Sequence, residues 1–139
     1  MKFQIASDLH LEYDPDWELP AGDADVLVLA GDVGIQTHGL AAFRDRARQQ
    51  PVLYVPGNHE YYCGNFNRTA AALRARAHEW GLYLLDGDAV VLGGVRFLGV
   101  TLWTDFALFG PTYPVRRGSS APVWRWRKSG ICWAMPASP

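Results

Sequence analysis

The chain has 139 residues, of which 49% are hydrophobic and 19% are charged, and its formal net charge is −1. This length and composition indicate one globular domain with a core of its own and exclude a disordered protein. No apolar stretch is long enough to span a bilayer, and the near-neutral charge gives no general attraction to nucleic acid or membranes.

The amino-terminal residues MKFQIASDLH are too short and too polar to form a signal peptide. The two cysteines, Cys63 and Cys132, form neither a metal-binding pair nor a disulfide framework. We interpret Cys63 as a free thiol on a loop. Together these features predict a reducing, cytoplasmic setting.

Predicted strands and helices alternate in the first part of the chain. Residues 3–7, 25–31 and 51–55 are predicted strands, and the continuous apolar run DVLVLAG fits a strand covered on both faces. Residues 38–50 and 67–81 are predicted helices because apolar residues recur at spacings of three and four. Asn67 is the predicted N-cap of the second helix, and Gly81 lies at its end. The predicted inner face of that helix comprises Ala70, Leu73, Ala77 and Trp80.

Strands cluster in the part that follows. The segments LYLLD, AVVLGG and VRFLGVTLW are predicted strands, separated by the turn signals DGD and GG. Early alternation followed by clustered strands predicts an α/β fold built in layers, with a mixed sheet.

The composition changes after Gly110. Residues 111–139 contain five of the nine prolines, three of the six tryptophans and none of the 14 acidic residues. We therefore predict an α/β domain at 1–110 and a basic, Pro/Trp-rich and irregular tail at 111–139. Within this tail, VWRWRK is interpreted as an edge strand or as a basic–aromatic patch.

Polar side chains follow three of the predicted strands directly. Asp8 and His10 follow the first strand, Asp32 follows the second, and Asn58 and His59 follow the third. The crevice beyond the carboxyl ends of the strands is the usual ligand site of an open α/β sheet, so these side chains should lie together. Asp8 and His10 are two residues apart, so in an extended backbone they would project to the same side.

Gly31 and Gly57 would allow the chain to leave its strands sharply. Carboxylates, an imidazole and an amide oxygen form a ligand set that suits Mn, Fe, Zn or Mg. A carboxylate such as Asp32 can bridge two cations about 3.5–4 Å apart, the separation of a two-metal hydrolytic site. Each motif alone has an ordinary structural explanation, as a turn residue or a helix cap. The three motifs in order, each after an apolar run, predict a metal site.

The segments DLH at 8–10, GD at 31–32 and GNHE at 57–60 resemble the first three signature blocks of the calcineurin-like metallophosphoesterases. The resemblance in order, spacing and strand context extends over roughly the first two thirds of the chain. GVTLWTDF at 99–106 is similar to a stretch of bacterial members, although we assign no chemistry to Thr104 or Asp105. The resemblance implies a four-layer α/β/β/α sandwich, here incomplete, and a centre of two divalent cations that hydrolyses phosphomonoesters or phosphodiesters.

The resemblance also implies a role for each matched residue. Asp8 and His10 would bind the first metal, Asp32 would bridge both metals, and Asn58 would bind the second. His59 would lie outside the metal shell, contact the phosphoryl group and protonate the leaving oxygen, while a water between the cations attacks phosphorus. The metals would be Mn, Fe, Zn or Mg, and the substrate would be a small-molecule or nucleotide phosphoester.

The chain departs from the family pattern in its histidines. The pattern continues with a further histidine and a GHxH block, whereas this chain has four histidines and none after His78. We interpret His38 and His78 as surface or boundary residues, and Glu60 as a partner of His59 or an anchor of its loop. The change of composition after Gly110 leads to the hypothesis that the chain is a truncated or frame-shifted form of a longer phosphoesterase.

Three functions stay open at the level of sequence. The first is a metal-dependent phosphoesterase, and the second is a non-catalytic metal- or phosphate-binding relic of the same fold. The third is binding of nucleic acid by the tail, through base stacking and phosphate contacts. The acidic composition of the rest of the chain argues against this third function. No membrane partner is predicted, and an open sheet edge predicts self-association.

Overall fold

The structure, a computed structural model, describes residues 1–103. The predicted tail, its VWRWRK segment and the residues Thr104, Asp105 and Cys132 lie outside the described residues.

The strands are β1 (Phe3–Ala6), β2 (Val26–Ala30), β3 (Val52–Val55), β4 (Tyr83–Leu84), β5 (Asp88–Leu92) and β6 (Val95–Gly99). The helices are α1 (His38–Ala42), α2 (Arg44–Ala47), a 3₁₀ turn (His59–Tyr61) and α3 (Phe66–Trp80).

The first four strands form a parallel sheet in the order β1-β2-β3-β4. Val26, Leu27 and Leu29 of β2 are buried because the strand lies between two neighbours and is covered on both faces, as its apolar run predicts. The strands β5 and β6 pair with each other as a separate antiparallel hairpin. The described strands therefore form two sheets, one parallel and one antiparallel, where the sequence predicted a mixed sheet.

The parallel sheet has a hydrophobic cluster on each face. On one face, Leu29 and Tyr54 of the sheet pack in the same cluster as Leu40, Leu73 and Ala77 of the helices. On the other face, the buried residues Val26, Leu53 and Leu85 contact the inward side chains of the hairpin, which are Val90, Leu92 and Phe97. The described chain is thus an α/β structure with helices on one side of the sheet and a hairpin on the other.

Two helix boundaries differ from those predicted. The helix expected at 38–50 breaks into α1 and α2 at Phe43, whose backbone leaves helical geometry while its ring is buried in the core. The N-cap of α3 is Asn65, whose side chain accepts a hydrogen bond from the Arg68 N–H at 3.0 Å, so the predicted cap at Asn67 is wrong. The end at Gly81 is confirmed, since Gly81 adopts a left-handed φ of 76°.

The predicted inner face of α3 is confirmed. Leu73 and Ala77 are buried, and Ala70 and Trp80 are half-buried against the same core cluster.

No helix within residues 1–103 is both long enough and apolar enough to cross a membrane.

Candidate metal centre

The loops that follow β1 and β2 stay hydrogen bonded to each other beyond the last strand residues. The Asp8 N–H donates to Gly31 O, and the His10 N–H donates to Asp32 O, each at 3.0 Å. These bonds extend the parallel alignment of the two strands into the loops. They place His10 beside Asp32 at the carboxyl edge of the sheet, where the sequence predicted a site.

The backbone of this segment is not extended. Asp8, His10 and Asp32 have positive φ angles of 54°, 48° and 52°. The expectation that Asp8 and His10 project to the same side of an extended chain is therefore wrong, because both residues adopt left-handed geometry where their N–H groups bond to the loop after β2. Such conformations cost about 1–3 kcal/mol each unless their surroundings hold them, although Asp and His adopt them more readily than most residues.

The two strand-end glycines serve different purposes. Gly31 has a φ of +89°, which supports the predicted sharp exit from β2. Gly57 does not have a positive φ, but a β-carbon there would overlap the carboxylate of Asp32 and lie 2.5 Å from its backbone nitrogen. A glycine is thus needed at position 57 because Asp32 approaches its backbone closely. The predicted sharp exit from β3 at Gly57 is not accompanied by a positive φ.

His10, Asp32 and His59 form the core of the site. Each offers one ligand atom, and the three atoms lie within 4.8 Å of one another. Asp32 Oδ1 also accepts a hydrogen bond from the His59 N–H at 2.9 Å, which joins the loops after β2 and β3. Two imidazoles and a carboxylate form a donor set that suits a first-row divalent cation, so this group could hold a metal ion.

The other predicted ligands are placed differently. Asp8 is exposed and does not belong to the group that His10, Asp32 and His59 form within the described residues. Asn58 immediately precedes the 3₁₀ turn, and its amide donates to the hydroxyl of Tyr62. His59 was expected outside the metal shell, and the structure places one of its ring nitrogens close to the ligand atoms of His10 and Asp32.

Glu60 anchors the loops around the site. Its side chain is 0% exposed, and it accepts hydrogen bonds from the backbone N–H groups of Gly57, Val33 and Asp32 at 2.7, 2.9 and 3.2 Å. It also accepts from the Tyr54 hydroxyl at 2.8 Å. Burial, followed by the charge and hydrogen bond of Glu60, raises the pKa of Tyr54, so this hydroxyl donates as a neutral phenol. The interpretation of Glu60 as a loop anchor is confirmed.

The carboxylate that contacts His59 belongs to Glu12, which the sequence reasoning missed. Glu12 Oε1 lies 2.9 Å from Nδ1 of His59 and 3.5 Å from Nδ1 of His10, and the two Nδ1 atoms are 3.1 Å apart. The side chain is only 12% exposed. The left-handed backbone at Asp8 and His10 means that sequence spacing alone could not have revealed this contact.

The ionisation of Glu12 reflects opposing effects. Burial raises the pKa of its carboxyl, but the hydrogen bond with His59 and the charges of His59 and His10 outweigh burial and hold this pKa below its ordinary value. Glu12 is therefore ionised near neutral pH. Its second oxygen, Oε2, is buried and has no hydrogen-bond partner among the described residues.

Comparison with known proteins supports the fold. No protein-family model matches the chain. The crystal structure of phosphopantetheinyl hydrolase (PptH) from Mycobacterium tuberculosis is similar, with a TM-score of 0.50 and 23% identity over 73% of this chain and 42% of that one. At this identity the likeness concerns the fold alone.

A sequence relative comes from a virus. The protein L509 of Acanthamoeba polyphaga mimivirus, described as uncharacterized, is 28% identical over 75% of this chain and 45% of its own length. The chain thus spans less than half the length of either matched protein.

Proposed function

We propose that the chain is a calcineurin-like metallophosphoesterase, a hydrolase of phosphomonoesters or phosphodiesters, or the amino-terminal part of one. The observation that carries this proposal is the convergence of His10, Asp32 and His59 within 4.8 Å at the carboxyl edge of a parallel sheet. A fold shared with a phosphopantetheinyl hydrolase is consistent with it.

The proposed site would hold two divalent cations, drawn from Mn, Fe, Zn and Mg. The residues that would hold them are His10 and Asp32, together with Asp8 and Asn58. The clustered imidazole and carboxylate donors fit a cation in this region. When bound, the cations would polarise a phosphoryl oxygen and lower the pKa of a water molecule.

His59 is the proposed proton donor to the leaving oxygen. Its backbone N–H is held by Asp32 Oδ1, and its ring lies against Glu12, so both backbone and side chain are fixed next to the proposed ligands. A group fixed in this way can transfer a proton without reorganising, which typically contributes about 10²–10⁴-fold to a rate. The substrate class is a small-molecule or nucleotide phosphoester.

Several finer expectations accompany the proposal. They are the four-layer α/β/β/α sandwich, the domain at 1–110 with an irregular tail at 111–139, a cytoplasmic setting, and self-association through an open sheet edge. Neither membrane nor nucleic acid is expected as a partner.

A non-catalytic relic is the second candidate. The observation that favours it is the small ligand group, which among residues 1–103 comprises His10, Asp32 and His59. A protein of this kind would bind a metal or a phosphate through His10 and Asp32 without turnover, because metal affinity and orientation depend on a full set of ligands and their supports.

The test is Mn²⁺-dependent hydrolysis, by the whole chain, of a phosphodiester with an alkyl leaving group, because departure of an alkoxide requires a proton donor. His59→Ala should lower kcat by about 100-fold or more, since it removes the proton donor. His78→Ala is the matched control, because His78 is exposed on α3, and it should leave the rate unchanged. Metal binding without turnover would identify the relic. Turnover that His59→Ala leaves intact would contradict the assigned role.

A further inference from the structure

Glu12 is a half-buried carboxylate that no matched motif block explains. It lies in the loop after β1, with 12% of its side chain exposed, and it faces both histidines of the site through a single oxygen, Oε1. The distance from this oxygen to Nδ1 of His59, 2.9 Å, is that of a hydrogen bond, whereas the 3.5 Å to Nδ1 of His10 is at the limit. The stronger contact of Glu12 is therefore with His59.

The second oxygen of Glu12 adds no further contact to the site. Oε2 is buried and lacks a hydrogen-bond partner within residues 1–103. Within those residues Glu12 therefore acts on the site through Oε1, which contacts the two imidazoles.

Glu12 lies beside the proposed ligands, with Oε1 3.5 Å from Nδ1 of His10. It is not part of the group in which His10, Asp32 and His59 bring three ligand atoms within 4.8 Å of one another among the described residues. The contact of Oε1 with Nδ1 instead resembles the general arrangement in which a carboxylate orients an imidazole and sets its tautomer.

We propose that Glu12 is the positioning residue of His59: its carboxylate accepts a hydrogen bond from Nδ1–H, fixes that tautomer, and leaves Nε2 as the nitrogen that exchanges protons with substrate. The catalytic meaning of this assignment rests on the proposed phosphoesterase function. The tautomer itself does not, because it is a property of the folded chain without metal or substrate.

The first experiment is nuclear magnetic resonance of the ring nitrogens in ¹⁵N-labelled, metal-free protein near neutral pH. Long-range ¹H–¹⁵N correlations should show a proton on Nδ1 of His59 in the wild type and in Glu12→Gln, whose amide oxygen can still accept. In Glu12→Ala the proton should move to Nε2. Glu18→Ala is the control, since Glu18 is an exposed acidic residue of the same loop. An unchanged His59 tautomer in Glu12→Ala would overturn the proposal, whether or not the wild type turns over substrate.

The second experiment uses the isosteric variant and remains informative if Glu12→Ala does not fold. Glu12→Gln should unfold in urea close to the wild-type midpoint. Its kcat should fall far less than the about 10–100-fold that is typical when an orienting partner is lost, with little change in KM, because the amide oxygen still accepts from Nδ1–H. A large loss of stability in Glu12→Gln would show a structural role, and a loss of bound Mn²⁺ would show a ligand. Either result would overturn the proposal.

Discussion

Glu60 is the residue on which the geometry of the site depends most. A carboxylate with 0% exposure would be costly to bury alone, but three backbone N–H groups and the Tyr54 hydroxyl donate to it. Two of the backbone donors belong to the loop after β2 and one to the loop after β3. Glu60 thus joins the strand ends that carry Asp32 and His59.

Replacing Glu60 should destabilise the fold. Glu60→Gln removes the negative charge and presents an NH₂ group to N–H donors, so about 3–5 kcal/mol of unfolding free energy should be lost, as when one partner of a buried charged network is removed. Urea denaturation followed by circular dichroism measures this loss.

The matched control for Glu60 is Glu79→Gln. Glu79 is exposed and pairs with Arg76 on the surface of α3, so its replacement should cost about 0–1 kcal/mol. Equal effects of the two substitutions would contradict the account of Glu60 as a buried anchor.

The sequence identified the strand ends correctly but could not assign all of their carboxylates. Asp32 and His59 follow apolar runs, a pattern that one-dimensional reasoning detects. Glu12 contacts His59, whereas Glu60 anchors the loops, and this difference depends on how the loop after β1 folds across the loop after β3. Left-handed geometry at Asp8 and His10 decides that path, and it arises from hydrogen bonds to residues more than 20 positions away, such as Gly31.

Among the elements, α3 illustrates what a local pattern can determine. The spacing of its apolar residues predicted the buried face, and Gly81 predicted the end of the helix. Both features depend on residues within the helix or next to it. The N-cap was misplaced by two residues, since Asn65 and Asn67 have equal intrinsic preference and only the backbone path selects between them. The break at Phe43 likewise depends on the core that receives its ring.

The two asparagines give a matched pair of substitutions. Asn65→Ala should lower the free energy of unfolding by about 1 kcal/mol, because the Arg68 N–H loses its acceptor. Asn67→Ala should be neutral or slightly stabilising, because Asn67 is exposed within the first turn and alanine is the better helix former. Thermal unfolding of both variants checks this order. A larger loss from Asn67→Ala would contradict the assigned cap.

For the whole molecule, the alternation of elements in the sequence indicated an α/β fold, and the parallel order β1-β2-β3-β4 agrees with it. The separation of β5 and β6 into a second sheet was not predictable. These strands could extend the first sheet or pack on its face, and their apolar residues fit both arrangements. Packing of Val90, Leu92 and Phe97 onto the sheet decides between them.

The central claim at this scale is that three strand ends build a metal centre. Equilibrium dialysis of the whole chain against Mn²⁺, with metal measured per chain by mass spectrometry, tests it most directly. Asp32→Asn preserves the shape of the central ligand, and Asp45→Asn on the exposed surface of α2 is the control. We predict at least one ion per chain in the wild type and the control, and an affinity lower by about 10-fold or more in Asp32→Asn. A wild type that binds no ion, or an Asp32→Asn variant that binds as the control does, would contradict the claim.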